Sequence, residues 1–129
     1  MIIITALDDK NGMMFNRRRQ SQDAVMRERI LERTKGGTLR MNPYSAELFG
    51  REREDDFLRQ AQTGEYCFVE SDAVSEYLSK IEKIIVYRWN RVYPADRTLD
   101  ISLDDWTLTE TFEFAGKSHP KITEEVYVP

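Results

Sequence analysis

Apolar residues come in short blocks along this chain, and their spacing predicts the elements. Ile2–Leu7 (IIITAL) is an unbroken, β-branched run, the pattern of a central strand covered on both faces. Asn11-Gly12 signals a turn, because both residues tolerate positive φ. Met13, Met14 and Phe15 follow as an apolar patch at risk of exposure, directly before Arg17, Arg18 and Arg19. Ser21 is placed to cap a helix, with Asp23 in its first turn and Val25, Met26, Ile30 and Leu31 as its apolar face. Lys35-Gly36-Gly37 stops it.

Thr38–Met41 then predicts a short strand, and Asn42-Pro43 opens a helix through Leu48 and Phe49. A charged stretch at Gly50–Asp56 leads to one or two helical turns over Phe57–Gln62 and a short buried strand at Tyr66–Val69. Val74, Tyr77, Leu78 and Ile81 follow the i, i+3, i+4, i+7 rule, with Asp72 as cap, and form the clearest amphipathic helix pattern of the chain. Lys83–Trp89 is a strong strand, and Tyr93–Asp96 a turn whose Pro94 cannot lie in a central strand. Trp106, Leu108, Phe112 and Phe114 are expected on one face of Trp106–Phe114, with threonines and glutamates on the other, as in a half-solvated antiparallel strand. A loop at Gly116–Pro120 precedes a last strand at Glu124–Val128. Crossovers come first and hairpins last, so residues 1–129 form a single α/β domain with a mixed central sheet and flanking helices.

Composition narrows the function classes. A chain of 129 residues can bury a core without staples. Its net charge of −4 disfavours nucleic acid, although Arg17, Arg18 and Arg19 with Phe15 and Tyr44 could contact RNA locally. Asp8 and Asp9 cut the first apolar run far short of a membrane span, so no membrane is expected. A single cysteine, Cys67, excludes an internal disulfide and fits the cytoplasm.

The order of elements, with certain residues in place, resembles the dihydrofolate reductase fold. Ile2–Leu7, the loop with Asn11-Gly12 and the helix up to Thr34 look like that family's first strand, mobile active-site loop and substrate helix. Thr38–Asn42 looks like its second strand with the cofactor-side helix after it. Glu65–Val69 through to Lys83–Tyr87 looks like the strands beside its cofactor site, and Asp105-Trp106 like the start of its long antiparallel strand. The chain departs from the family at defined places. Glu70 and Ser71 stand where the family has a Gly-Gly pair that lets backbone approach a dinucleotide, and only 16 residues separate Phe49 from Tyr66. An ungapped count puts Met26 in place of the substrate-helix carboxylate, and Asp23 fits only after a shift of about one helical turn. The departures disfavour a nicotinamide reductase, and no cofactor is expected. A second resemblance is to small clostridial proteins that carry the label ribonuclease Z. The real family is a dinuclear zinc hydrolase needing clustered histidines, and this chain's one histidine, His119, rejects that label.

Candidate ligand contacts follow from chemistry and from the ends of strands. Asp8 and Asp9, with Asn11 beyond them, follow the carboxyl end of the first strand, where open α/β sheets place ligands. Arg18 and Arg19, joined by Arg27, could clamp a phosphate or carboxylate, and Glu70 ends the Tyr66–Val69 strand. His119 is expected as a loop histidine or the partner of a carboxylate rather than as the base of its neighbour Ser118. Cys67 is expected as a packed small hydrophobe, and Trp89, Tyr93 and Trp106 as cover for the sheet. The resulting expectation is a non-catalytic protein that binds a nucleotide-like or other anionic small molecule. Alternatives are a homodimeric or partner-binding assembly module that covers Met13, Met14 and Phe15, and a metal-dependent hydrolase using Asp8, Asp9 and Glu70.

Overall fold

A computed structural model describes residues 1–129. Its main sheet has six strands in the order β4-β5-β1-β6-β9-β8: β1 is Ile2–Leu7, β4 Leu39–Met41, β5 Tyr66–Val69, β6 Lys83–Arg88, β8 Thr107–Phe114 and β9 Ile122–Val128. The β4, β5, β1 and β6 strands run parallel, and β9 and β8 continue the sheet antiparallel. The apolar run of β1 is explained by its place between β5 and β6. Ile3 and Leu7 enter a core on one face and Ile4 a core on the other. Helices α1 (Ala24–Arg33) and α2 (Pro43–Phe49) cover the second face through Met26, Ile30, Ala46 and Phe49. On the first face lie the short helix α3 (Phe57–Gln60) and the side chains of Val74, Ile81, Leu99 and Leu103. No helix is long and apolar enough to cross a membrane.

The loop after β1 is more ordered than its composition suggests. It forms β2 (Gly12–Phe15) and β3 (Arg18–Arg19), which join β7 (Arg97–Thr98) in a small second sheet. Asn16 and Arg17 make the hairpin turn with φ of 51° and 62°, the left-handed pair that matches strand twist in two-residue turns. The hairpin folds Met13 and Met14 onto the core, each 4% exposed, so the apolar patch expected here is internally packed; only Phe15 stays outside.

Four other expectations need correction. Asp23, not Ser21, caps α1, because its extended backbone aims Oδ1 at the N–H groups of Val25 and Met26. The amphipathic pattern at Val74–Ile81 forms a 3-10 segment, Ser75–Lys80, with Leu78 exposed. Its start is held by Asp100, whose carboxylate accepts the N–H groups of Val74 and Ser75, while Asp72 accepts from the Asn42 amide instead. In β8 the four apolar residues do not share a face. An irregularity between Leu108 and Glu110 shifts the register, so Trp106 packs on one core and Phe114 on the other. The last strand also begins earlier than expected, at Ile122, because its pairing with Phe114 closes the hairpin.

One buried charge ties α1 to the sheet. Glu124 in β9, 3% exposed, takes both fork nitrogens of Arg29 at 2.8 and 2.9 Å and the Tyr87 hydroxyl at 2.5 Å. Burial and the neighbouring Glu124 carboxylate together push the Tyr87 phenol up from its ordinary value. Removing the carboxylate strands both donors. Glu124→Ala is expected to lower stability by about 1.5–3 kcal/mol in urea denaturation at unchanged slope. A loss under about 0.5 kcal/mol, the size of a surface change, would contradict this role.

Candidate functional site

The carboxyl ends of β1 and β5 carry two of the side chains singled out in the sequence, and both are engaged within the protein. Asp8, 1% exposed, accepts the N–H groups of Gly12 (2.7 Å), Lys10 (2.8 Å) and Tyr93 (3.1 Å) and the Gln20 amide (3.1 Å). Burial alone would raise this carboxyl; the donated hydrogen bonds outweigh it and hold it below the ordinary aspartate value. Gly12 has to be glycine here, since a Cβ would stand 2.8 Å from Asp8 Oδ2 and 2.6 Å from Gln20 Nε2. Asp8 therefore ties the β1–β2 loop to the Tyr93 turn. Asp9 is exposed, and the Asn11 side-chain oxygen accepts from Arg88 at 2.5 Å.

Glu70 and Arg19 close the next crevice. Their carboxylate and guanidinium form a two-pronged pair at 2.8 and 2.9 Å, Ser45 donates to Glu70 at 2.7 Å, and the Tyr44 ring lies 4.1 Å from Arg19 Cζ. Arg18 is exposed, and Arg27 reaches the Gln22 side chain at 3.0 Å. Asp8, Asp9 and Glu70 thus do not gather around a common point, and no cluster of three or more His, Cys, Asp or Glu side chains is arranged to hold a metal ion. Cys67 is fully buried, and burial pushes its thiol up to about 12, consistent with a packed, unreactive role.

A different constellation forms where α1 begins. The Gly116–His119 loop folds back so that Asp23 receives it as well as capping the helix. Oδ1 accepts from Lys117 N–H at 3.0 Å, and Oδ2 from Ser118 N–H at 2.8 Å and the Ser118 hydroxyl at 3.0 Å. His119 Nδ1 lies 3.2 Å from the same Oδ2. Burial opposes the ionised carboxylate, but the Lys117 and Ser118 amides and His119 overcome it and hold Asp23 far below its ordinary value. An ionised carboxylate can only accept, so the Asp23 contact favours the His119 tautomer with its proton on Nδ1, in which Nε2 is the acceptor. Ser21 Oγ stands 3.0 Å from Nε2 and the Tyr93 hydroxyl 3.2 Å from it, while the ring stacks on Trp89 with centroids 4.5 Å apart. Gly116 permits the approach, since a Cβ there would meet Asp23 Oδ2 at 2.5 Å.

Beside this group opens a cavity of about 610 Å³, lined by Arg19, Arg27 and Lys117 together with Ser21 and Ser118. Of the residues proposed from sequence, it brings together Arg19 and Arg27 but leaves Asp8, Asp9, Asn11, Arg18 and Glu70 outside its lining. The expectation that His119 partners a carboxylate is met by Asp23. Sequence reasoning passed over Ser21 and Lys117 as site residues. The available signal was the pair Ser21-x-Asp23 at a helix start in a chain with one histidine; what joins them is a contact across 96 residues of chain.

The comparisons with known proteins speak to the fold. The chain superposes on dihydrofolate reductase from Enterococcus faecalis, solved in complex with NADP(H) and RAB-propyl, with a TM-score of 0.70 over 98% of this chain and 94% of that one, at 14% identity. No family model and no curated protein matches the sequence. The fold is thus that of dihydrofolate reductase, as the order of elements suggested.

The depressed Asp23 carboxyl predicts a pH dependence of stability. A group whose folded pKa lies below its unfolded one stabilises fully above the unfolded value, and loses that stabilisation as pH falls through the folded one. The stability gap between the native chain and Asp23→Asn is therefore expected to be widest above pH 3.8, the ordinary aspartate value, and to narrow as pH drops below it, measured by denaturant titration at several pH values. A gap independent of pH would contradict it.

Proposed function

We propose that this chain binds a small anionic ligand, nucleotide-like or otherwise, in the cleft between the start of α1 and the Gly116–His119 loop. The observation that carries this reading is the lining itself. Arg27 and Lys117 border the cavity beside Arg19, whose fork is held by Glu70, and the one carboxylate there, Asp23, is turned inward onto its own donors. A guanidinium fork and an ammonium beside an open polar cleft suit a carboxylate or phosphate.

Reduction chemistry is not part of this proposal. The reductase it resembles was solved with NADP(H), but the residues after β5 do not fit such a dinucleotide here. Glu70 brings a carboxylate to a place where phosphate charge would have to approach. Displacing it would strand Arg19 and Ser45. The side chains therefore support binding without hydride transfer.

A second reading, assembly through β8, is favoured by one feature. That strand is one of the sheet's two edges and leaves Leu108 and Phe112 46% and 50% exposed. Sedimentation equilibrium separates the readings, since assembly requires a concentration-dependent dimer that Phe112→Lys disperses.

For anion binding, calorimetry with a panel of nucleotides, inorganic phosphate and dicarboxylates is expected to give saturable heat for at least one compound. Arg27→Ala and Lys117→Ala are each expected to weaken it by about tenfold, the size of one charge-assisted hydrogen bond. Binding that ignores both substitutions, or no heat at millimolar ligand, would overturn the reading.

A further inference from the structure

We infer that Ser21, His119 and Asp23 form a nucleophile, base and orienting carboxylate that cleave a carboxylic ester bearing an anionic group. This inference rests on the anion-binding reading for its substrate class, and it departs from the expectation that the site is non-catalytic. The geometry is that of an activated hydroxyl. Ser21 Oγ is 3.0 Å from His119 Nε2, and His119 Nδ1 is 3.2 Å from Asp23 Oδ2. Such a constellation is recognised by geometry and roles, whatever the fold that carries it.

Three features separate it from a chance contact. Asp23 and His119 are 1% and 4% exposed, so the carboxylate and ring interact away from water. The imidazole is stacked on Trp89, and on its Asp23 side the Ser118 hydroxyl lies 3.2 Å from Nδ1. Ser21, in contrast, is only partly buried and lines the cationic cavity, so its oxygen is reachable. Ala24, the first residue of α1, borders the same cavity next to Ser21.

The steps balance without any further reagent than water. Ser21 Oγ attacks the ester carbon as its proton passes to His119 Nε2. The bond to the leaving alcohol then breaks, and His119 returns that proton to the departing oxygen. Water repeats the sequence on the acyl-Ser21 ester, giving its proton to Nε2 and releasing a carboxylic acid while Ser21 recovers its hydrogen. The Tyr93 hydroxyl shares Nε2 with Ser21 at rest, so Tyr93→Phe leaves Ser21 as the only hydroxyl on the base.

A fluorophosphonate probe, read by peptide mass spectrometry, tests the nucleophile. Labelling is expected on Ser21, abolished in Ser21→Ala, strongly slowed in His119→Gln and at least retained in Tyr93→Phe, with folding of each variant checked by thermal denaturation. No label on Ser21, or a rate unaffected by His119→Gln in a folded variant, would overturn the inference. Protein-dependent hydrolysis, with the uncatalysed rate subtracted, of the mono-p-nitrophenyl ester of terephthalic acid, whose para carboxylate cannot reach its own ester, against p-nitrophenyl benzoate tests the substrate class. The charged ester is expected to react about tenfold faster, as one charge-assisted contact allows, and equal rates would overturn the anionic assignment. Calorimetric anion binding without labelling sinks the nucleophile alone. Labelling without anion binding sinks the binding reading and keeps the nucleophile.

Discussion

Asp23 carries more of this molecule than its size suggests. A single carboxylate caps α1, receives two successive amides and a hydroxyl of the loop between β8 and β9, and fixes the imidazole of His119. Each contact is stronger to an ionised acceptor, and together they favour the charged form despite burial. The helix and the loop come from opposite ends of the chain, so this anion also sets where the candidate cleft lies. Gly116 is part of the same constraint, because only a residue without a Cβ lets the loop come so close.

The carboxyl ends of the parallel strands, where ligands usually sit in such sheets, are internally committed in this chain. Asp8 ties loops together, and Glu70 is neutralised by Arg19 beneath the Tyr44 ring. Salt bridges of this kind contribute modest stability, but undoing one leaves a half-buried charge without a partner. The cationic opening therefore lies one element away, against α1. The fold specifies the sheet, while the side chains at its loops specify what lines each cleft.

Much of the scaffold was legible because it rests on local patterns. The buried run of β1, the short apolar strand at Tyr66–Val69 and the Asn42-Pro43 helix start all state their environment in a few adjacent residues. The misreadings come from long-range terms. Val74–Ile81 has helical spacing, yet the segment forms a 3-10 turn, its first amides held by Asp100 from a distant loop. Met13 and Met14 look like an exposed patch until two residues in the left-handed region fold the hairpin over the core. In the cleft, Arg19 and Arg27 could be proposed from charge alone. Ser21 and His119 could not be paired, because nothing in their own surroundings announces a contact across the whole chain.

The central claim is that Asp23 fixes His119 with its proton on Nδ1 and its basic Nε2 facing Ser21. Nitrogen-15 shifts of the single histidine, recorded by long-range proton–nitrogen correlation at about pH 8, where an ordinary imidazole is neutral, read this tautomer directly. The account predicts a protonated, pyrrole-like Nδ1 and a pyridine-like Nε2. A proton resident on Nε2, with Nδ1 bare beside the carboxylate, would contradict it.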